Sequence, residues 1–292
     1  MVNSAQEICV IGSKGLIGAN FCEFLKSNNV LFHEVDSSHF FYTQMKSLLE
    51  SWGDSECVIV WAAGTSFPSN SHGLSDIVVE EELSAFKYMI AILENYPSKC
   101  HLIFMSSGGC IYSERSRPLV EIDELKPNNV YGEVKLIQES LLRNSSIRHT
   151  ILRVSNVYGE SKKPRTGRDL IETWIRNYNL GLTSFLFGDS SQFRDFINVR
   201  DVSAAIFRSI YVGAHDEVFN IGSGKALSLE SVANLFIECT GGRFKLELQE
   251  GRAIDRGGYV LNVSKARKSI GWNPIHSSED NLKMYIKNRV IT

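Results

Sequence analysis

The chain predicts an α/β fold: a doubly wound parallel sheet with a smaller C-terminal α/β lobe packed on it. Three observations carry that prediction. Short continuous apolar runs alternate with longer amphipathic ones through the first half, the pattern of strands buried on both faces and joined by helices. A glycine array closes the first apolar run. After Arg153 the alternation loosens with no repeat and no low-complexity linker, so the second lobe is expected to pack tightly on the first, without a flexible tether.

The elements follow in order. EICVIG (7–12), VLFHEV (30–35), CVIVWAA (57–63), HLIFMSS (101–107) and HTILRV (149–154) read as strands. LIGANFCEFLKS, TQMKSLLESW, DIVVEEELSAFKYMIAILENY and NNVYGEVKLIQESLLRN read as the helices between and beside them. Pro97 closes the third helix, and KPNN ahead of Val130 supplies a loop and a cap for the fourth. Beyond Arg153 come the basic loop YGESKKPRTGR, a helix near 169–179, FLFGDSSQFRDFINV, a helix from Asp201 and a short strand VFNIGSG. A helix SLESVANLFIECT, the segment GRAIDRGGYVLNVSKARKSIGW and a last helix complete the chain.

Composition narrows the function classes. The 292 residues are 43% hydrophobic with a formal net charge of −2. That suffices for a large core, and gives no electrostatic case for nucleic acid or an anionic membrane. Cysteines at 9, 22, 57, 100, 110 and 239 form no CxxC pair and no metal-like spacing with histidine. Several lie in apolar runs, as reduced thiols of a cytoplasmic protein do. The N-terminus lacks a basic start and a long apolar run, and nothing approaches the ~20 apolar residues of a membrane span, so neither a signal peptide nor an anchor is expected.

IGSKGLIGAN places Gly12, Gly15 and Gly18 in a G-x-x-G-x-x-G array between the first strand and helix. Glycine lets the backbone approach a pyrophosphate, whose charge the helix N-terminus stabilises. Asp36 ends the second strand 18 residues after Gly18, where an acid bonds both ribose hydroxyls of NAD and repels the extra phosphate of NADP. Ser37, Ser38 and His39 follow, with no arginine to receive that phosphate. The pattern points to NAD.

NNVYGEVK places Tyr131 and Lys135 at i and i+4, on one helix face. Free tyrosine titrates near ~10. A neighbouring ammonium, together with the positive nicotinamide ring, favours the phenolate. Such a phenolate takes a proton from a sugar hydroxyl while hydride leaves the same carbon.

With these motifs in this order, the chain resembles an extended short-chain dehydrogenase/reductase of the NAD-dependent epimerase/dehydratase family, typified by UDP-galactose 4-epimerase. The resemblance runs nearly end to end. It includes the glycine array, WAAG at 61–64, SSGGCIY at 106–112, YGEVK at 131–135, LRVSNVYG at 152–159, FGDSSQFRDFINVRDV at 187–202 and the SKARKSIGW tail. It implies a Rossmann-type NAD domain at 1–155, with a return segment at about 189–212. A sugar-nucleotide lobe would take 156–188 and 213–292. It further implies that Gly12, Gly15, Leu16, Ile17, Gly18, Asp36, Ala62, Ala63 and Gly64 bind the cofactor. Tyr131 is then the base and Lys135 holds the nicotinamide ribose. Asn156, Arg194 and Arg252 contact the diphosphate of a nucleoside-diphosphate sugar, a role that suits guanidinium forks. Internal Arg194–Asp195 and Arg252–Asp255 ion pairs are the competing explanation.

The chain departs from the family in three places. A serine or threonine is usual four residues before the turn's tyrosine; with Tyr112 as anchor that position is Gly108. Ser107, or Ser106, could bring a hydroxyl to the sugar through the flexible turn, or could simply end the strand. Only 24 residues separate Asp36 from WAAG, too few for the full third strand and acidic adenine contact of longer relatives. The asparagine often found early in the next helix is replaced by the acids Glu81 and Glu82.

The implied reaction is 4-epimerisation of a sugar nucleotide through a transient 4-keto sugar. A 4-keto sugar-nucleotide reductase or dehydrogenase is the second reading, and a non-catalytic dinucleotide-binding protein the third. A 4,6-dehydratase fits less well, because Gly109-Cys110 stand where that chemistry needs an acid pair. Family members often dimerise through the helices near 77–95 and 128–145, so a homodimer is expected.

Overall fold

The computed structural model describes residues 6–35, 41–68, 73–161, 169–251 and 258–291. Its elements are β1 (Gln6–Ile11), α1 (Leu16–Ser27), β2 (His33–Val35), α2 (Phe41–Ser51), β3 (Glu56–Trp61), α3 (Asp76–Leu93) and β4 (Cys100–Ser107). Then come α4 (Val130–Arg143), β5 (Arg148–Val154), β6 (Asn156–Tyr158), α5 (Leu170–Asn179), β7 (Ser184–Phe187), β8 (Phe193–Arg194) and β9 (Phe196–Asn198). The remainder is α6 (Val199–Val212), β10 (Glu217–Ile221), β11 (Leu227–Ser228), α7 (Leu229–Cys239), β12 (Leu246–Gln249), α8 (Ser264–Ile270) and α9 (Glu279–Arg289).

Six strands form one parallel sheet in the order β10-β5-β4-β3-β1-β2. The doubly wound sheet expected from the sequence is therefore present. Alternation along β1 explains both covered faces. Ile8 and Val10 enter a core with Phe21 and Leu25 of α1 and Ile206 and Ile210 of α6. Cys9 and Ile11 enter another with Met45 and Leu49 of α2 and Phe86 and Met89 of α3. From β1 the chain turns one way to β2 and then returns past β1 to β3. That reversal opens a crevice at the carboxyl ends of β1 and β3, where open α/β sheets bind ligands.

One sequence expectation changes. The second strand is only His33–Val35, because Val30 and Phe32 pack from a loop onto the α1 core. On the far edge β10 pairs in parallel with β5, and Leu261, Ala266, Ile270 and Trp272 share the core of the main sheet. Strand β5 would otherwise leave an open edge of unpaired backbone groups. The remaining lobe has its own core around Trp174, Phe236, Phe244 and Ile286, beside the parallel pair β7/β12 and the antiparallel pair β8/β11.

The predicted cap of α4 is Asn129, whose Oδ1 accepts from the Gly132 N–H at 2.8 Å. The six cysteines are free thiols, and Cys57 and Cys100 face each other across β3 and β4 with Sγ atoms 2.9 Å apart. Among the described residues no helix is long and apolar enough to cross a membrane.

Candidate active site

The glycine turn joins β1 to α1. Gly12 has φ +85°, and a side chain there would meet the Ala62 and Ala63 backbone at 2.7 Å. The turn is thus pressed against the end of β3, where only glycine fits. Gly15 is the N-cap of α1 and supplies no side-chain hydrogen bond, so the first N–H groups of the helix are left to an anion. Leu16 is buried, Ile17 half-buried and Gly18 tucked under Gly12. These features fit a dinucleotide pyrophosphate. Asp36 and Arg252 lie outside the described residues, as do 162–168 of the basic loop.

From the end of β3 a run of contacts leads to the expected base. Ala62 and Ala63 are half-buried and Gly64 is exposed. A methyl group on Gly64 would stand 3.0 Å from Glu82 Oε1 and 3.7 Å from Lys135 Nζ. Glu82 and Lys135 form a buried ion pair at 3.8 Å. Lys135 Nζ also donates to Gln138 Oε1 at 3.2 Å and lies 5.1 Å from the Phe104 ring centre and 5.8 Å from that of Tyr131. Burial presses the Lys135 pKa downward, and Glu82 opposes it only in part. Burial also disfavours the Glu82 carboxylate, but the Lys135 charge and hydrogen bonds from Ser66 and Thr65 outweigh it, leaving that group below the usual carboxylate range.

Tyr131 sits half-buried in the first turn of α4. The next residue, Gly132, is packed on Cys110, whose carbonyl oxygen would be 2.3 Å from any Cβ placed there. The start of α4 therefore rests on the SSGGC turn. Within that turn the two serines differ. Ser106 Oγ donates to Glu139 Oε1 at 2.6 Å. Glu139 in turn accepts from Arg153 at 3.0 and 2.7 Å, and Arg153 also reaches the Tyr112 hydroxyl. Ser106 thus belongs to a buried structural network. Ser107 Oγ has no such bond among the described residues, and Ser107 is the last residue of β4, at the carboxyl end of the sheet.

The glycines of the turn have a steric cause. A Cβ on Gly108 would lie 2.5 Å from Leu261 Cδ1, and one on Gly109 would lie 2.3 Å from the Tyr259 hydroxyl. Side chains from the C-terminal segment occupy the space that larger residues would need. Asn156 Nδ2 donates to the same Tyr259 hydroxyl at 2.6 Å and to the Asp195 carbonyl at 3.3 Å.

Arg194 is half-buried and donates to the Phe193 carbonyl and to Gln192 Oε1. The fully buried Asp195 carboxylate is filled by Ser155 Oγ, the Ser223 N–H and Oγ, and the N–H groups of Gly224 and Leu261. Burial raises its pKa, despite those donors.

The sequence reading missed Tyr259 and Leu261, which carry no motif. For Glu82 a signal existed: it lies on the helical stripe of Phe86, Met89, Ile90 and Leu93, the buried face of α3.

A family model described as NAD dependent epimerase/dehydratase family matches residues 8–222. The chain belongs to that family. The resemblance read from the motifs is therefore correct, and the family is NAD-dependent. Its reaction types are mixed among relatives. A dTDP-4-dehydro-6-deoxyglucose reductase of Escherichia coli is 26% identical over 236 residues, covering 79% of this chain and 74% of its own. A UDP-glucose 4-epimerase of Lactobacillus helveticus is 29% identical over 216 residues, covering 66% of each chain. Among solved structures, the UDP-glucose 4-epimerase of Thermotoga maritima with UDP-glucose matches with a TM-score of 0.83 at 24% identity, over 96% of this chain and 97% of that one. That match establishes a shared fold.

Proposed function

We propose that the protein is an NAD-dependent sugar-nucleotide 4-epimerase. The observation that carries the reading is the pairing of Tyr131 with the buried Lys135, whose Nζ lies 5.8 Å from the tyrosine ring centre beside the end of β3 on which the glycine turn presses; Ser107 ends the neighbouring strand β4. When bound, NAD supplies a reversible hydride acceptor for the sugar carbon. Tyr131 removes the proton of the 4-hydroxyl, and Lys135 holds the adjacent ribose while favouring the phenolate. Ser107 bonds the reacting oxygen and relays its proton. The keto sugar turns over in the site, and Tyr131 returns the proton to the new hydroxyl.

Gly12, Gly15, Leu16, Ile17, Gly18, Asp36, Ala62, Ala63 and Gly64 line the dinucleotide. Asn156, Arg194 and Arg252 hold the diphosphate of the nucleoside-diphosphate sugar. A cytoplasmic homodimer paired through α3 and α4 belongs to the same reading, since Ile77, Tyr88 and Ile137 are exposed on those helices. A monomer mass in light scattering at micromolar concentration would remove the dimer from it.

A one-way 4-keto reductase is the second reading, favoured by the reductase relative of Escherichia coli. A 4,6-dehydratase is disfavoured because the Tyr259 hydroxyl fills the space where an acid at 109 would begin. The deciding experiment incubates the protein with UDP-, dTDP- and GDP-sugars, with and without NAD(P)H, and identifies the products. Isomer formation without added reductant supports the epimerase. Stoichiometric oxidation of reduced cofactor by a 4-keto sugar displaces it in favour of the reductase.

A further inference from the structure

We propose that Glu82 is a positioning residue that biases the bound dinucleotide toward its oxidised form. The inference rests on the NAD site of the proposed function and goes beyond it. Three features of Glu82 support it. The carboxylate is buried, and one oxygen, Oε2, is fully employed: it accepts from the Thr65 N–H at 2.9 Å, the Thr65 hydroxyl at 3.0 Å and the Ser66 N–H at 2.8 Å. These bonds fix the group at the end of β3, beside the site. The other oxygen, Oε1, is buried without a hydrogen-bond partner and lies 3.8 Å from Lys135 Nζ. A buried acceptor left open in this way costs free energy unless something else uses it.

Charge gives the direction of the effect. The oxidised nicotinamide ring is a cation and the reduced ring is neutral. A buried Lys135 ammonium alone would therefore repel the oxidised ring and leave the reduced one untouched. Glu82 cancels that charge from within the low-dielectric site, where screening by salt is weak. An asparagine at this position would support the turn but could not supply the charge. An enzyme that regenerates its cofactor in every cycle gains from holding it oxidised between turnovers, and Glu82 does this without touching the sugar.

The test is calorimetric titration of the full chain with NAD+, NADH and ADP-ribose, for wild type and Glu82→Gln. The amide keeps an acceptor for Thr65 and Ser66 and removes the charge. The expected result is a loss of about tenfold in affinity for NAD+ relative to NADH, equivalent to about 30 mV in a two-electron couple, with ADP-ribose affinity unchanged. Equal weakening of all three ligands would show that Glu82 serves only the Thr65–Ser66 turn and would overturn the inference. An unchanged ratio would overturn it as well. Should Glu82→Gln fold poorly, Glu82→Asn makes the same comparison with a shorter neutral amide. The two readings fail separately. A shifted ratio in a protein that isomerises no sugar nucleotide sinks the epimerase alone, and isomerisation with an unshifted ratio sinks the role of Glu82 alone.

Discussion

Replacing Gly108 by serine places, on paper, a hydroxyl where the family resemblance leads one to expect it. The packing around it gives the opposite expectation. The new Cβ would stand 2.5 Å from Leu261 Cδ1 and 3.1 Å from the Arg153 carbonyl oxygen, whereas carbon atoms pack at about 3.5–4.0 Å. Leu261 must therefore retreat by about 1 Å or more. Its backbone cannot follow, because its N–H bonds Asp195 Oδ2 at 3.1 Å and its neighbours Val260 and Asn262 bond both sides of Leu119. Its side chain is fully buried and has only occupied core to turn into. Overpacking of this kind costs about 1–3 kcal/mol, a fall of roughly 2–6 °C in melting temperature for a chain of this size. Leu261→Val costs about 1 kcal/mol on its own. Combined with Gly108→Ser it relieves the clash, so the pair is expected to lose less than the sum of the singles. Thermal unfolding of the three variants beside wild type measures this. A Gly108→Ser protein that melts with wild type, or strictly additive losses, would refute the steric account of the glycine.

Ser107→Ala is expected to cut turnover by about 10²-fold or more with NAD affinity unchanged, checked by product assay and calorimetry; unaffected turnover removes Ser107 from the chemistry. Tyr131→Phe should lose about 10²–10⁴-fold in turnover while keeping its melting temperature, since the ring stays and only the proton carrier goes. Glu139→Gln leaves the buried Arg153 without its countercharge and should cost about 3–5 kcal/mol, read in denaturant unfolding. Burial disfavours charge on Glu139, yet Arg153, Ser106 and Arg143 hold its carboxyl below the usual range. The folded pKa is thus depressed. The stability that Glu139 contributes is complete above the unfolded value of about 4.3 and drains as pH falls through the folded one. The melting temperature of wild type should drop more steeply below pH ~4 than that of Glu139→Gln; parallel profiles would contradict this.

The sequence by itself determined the sheet, the helices on both faces and the place of the glycine turn. Each is written in local periodicity: Ile8 and Val10 against Cys9 and Ile11, or the capped start of α4 that carries Tyr131 and Lys135 one helical turn apart. Only the tertiary structure decided what surrounds those elements. Which of the two serines in FMSSGGCIYS is engaged depends on Glu139 and Arg153, 33 and 47 residues away in sequence. The glycines after them answer to Leu261 and Tyr259, from the far end of the chain. Glu82 meets Lys135 only because α3 and α4 flank the same strands. Periodicity records which face of an element is buried. It does not record which distant side chain fills the space, because that is fixed by shape and charge across the assembled core.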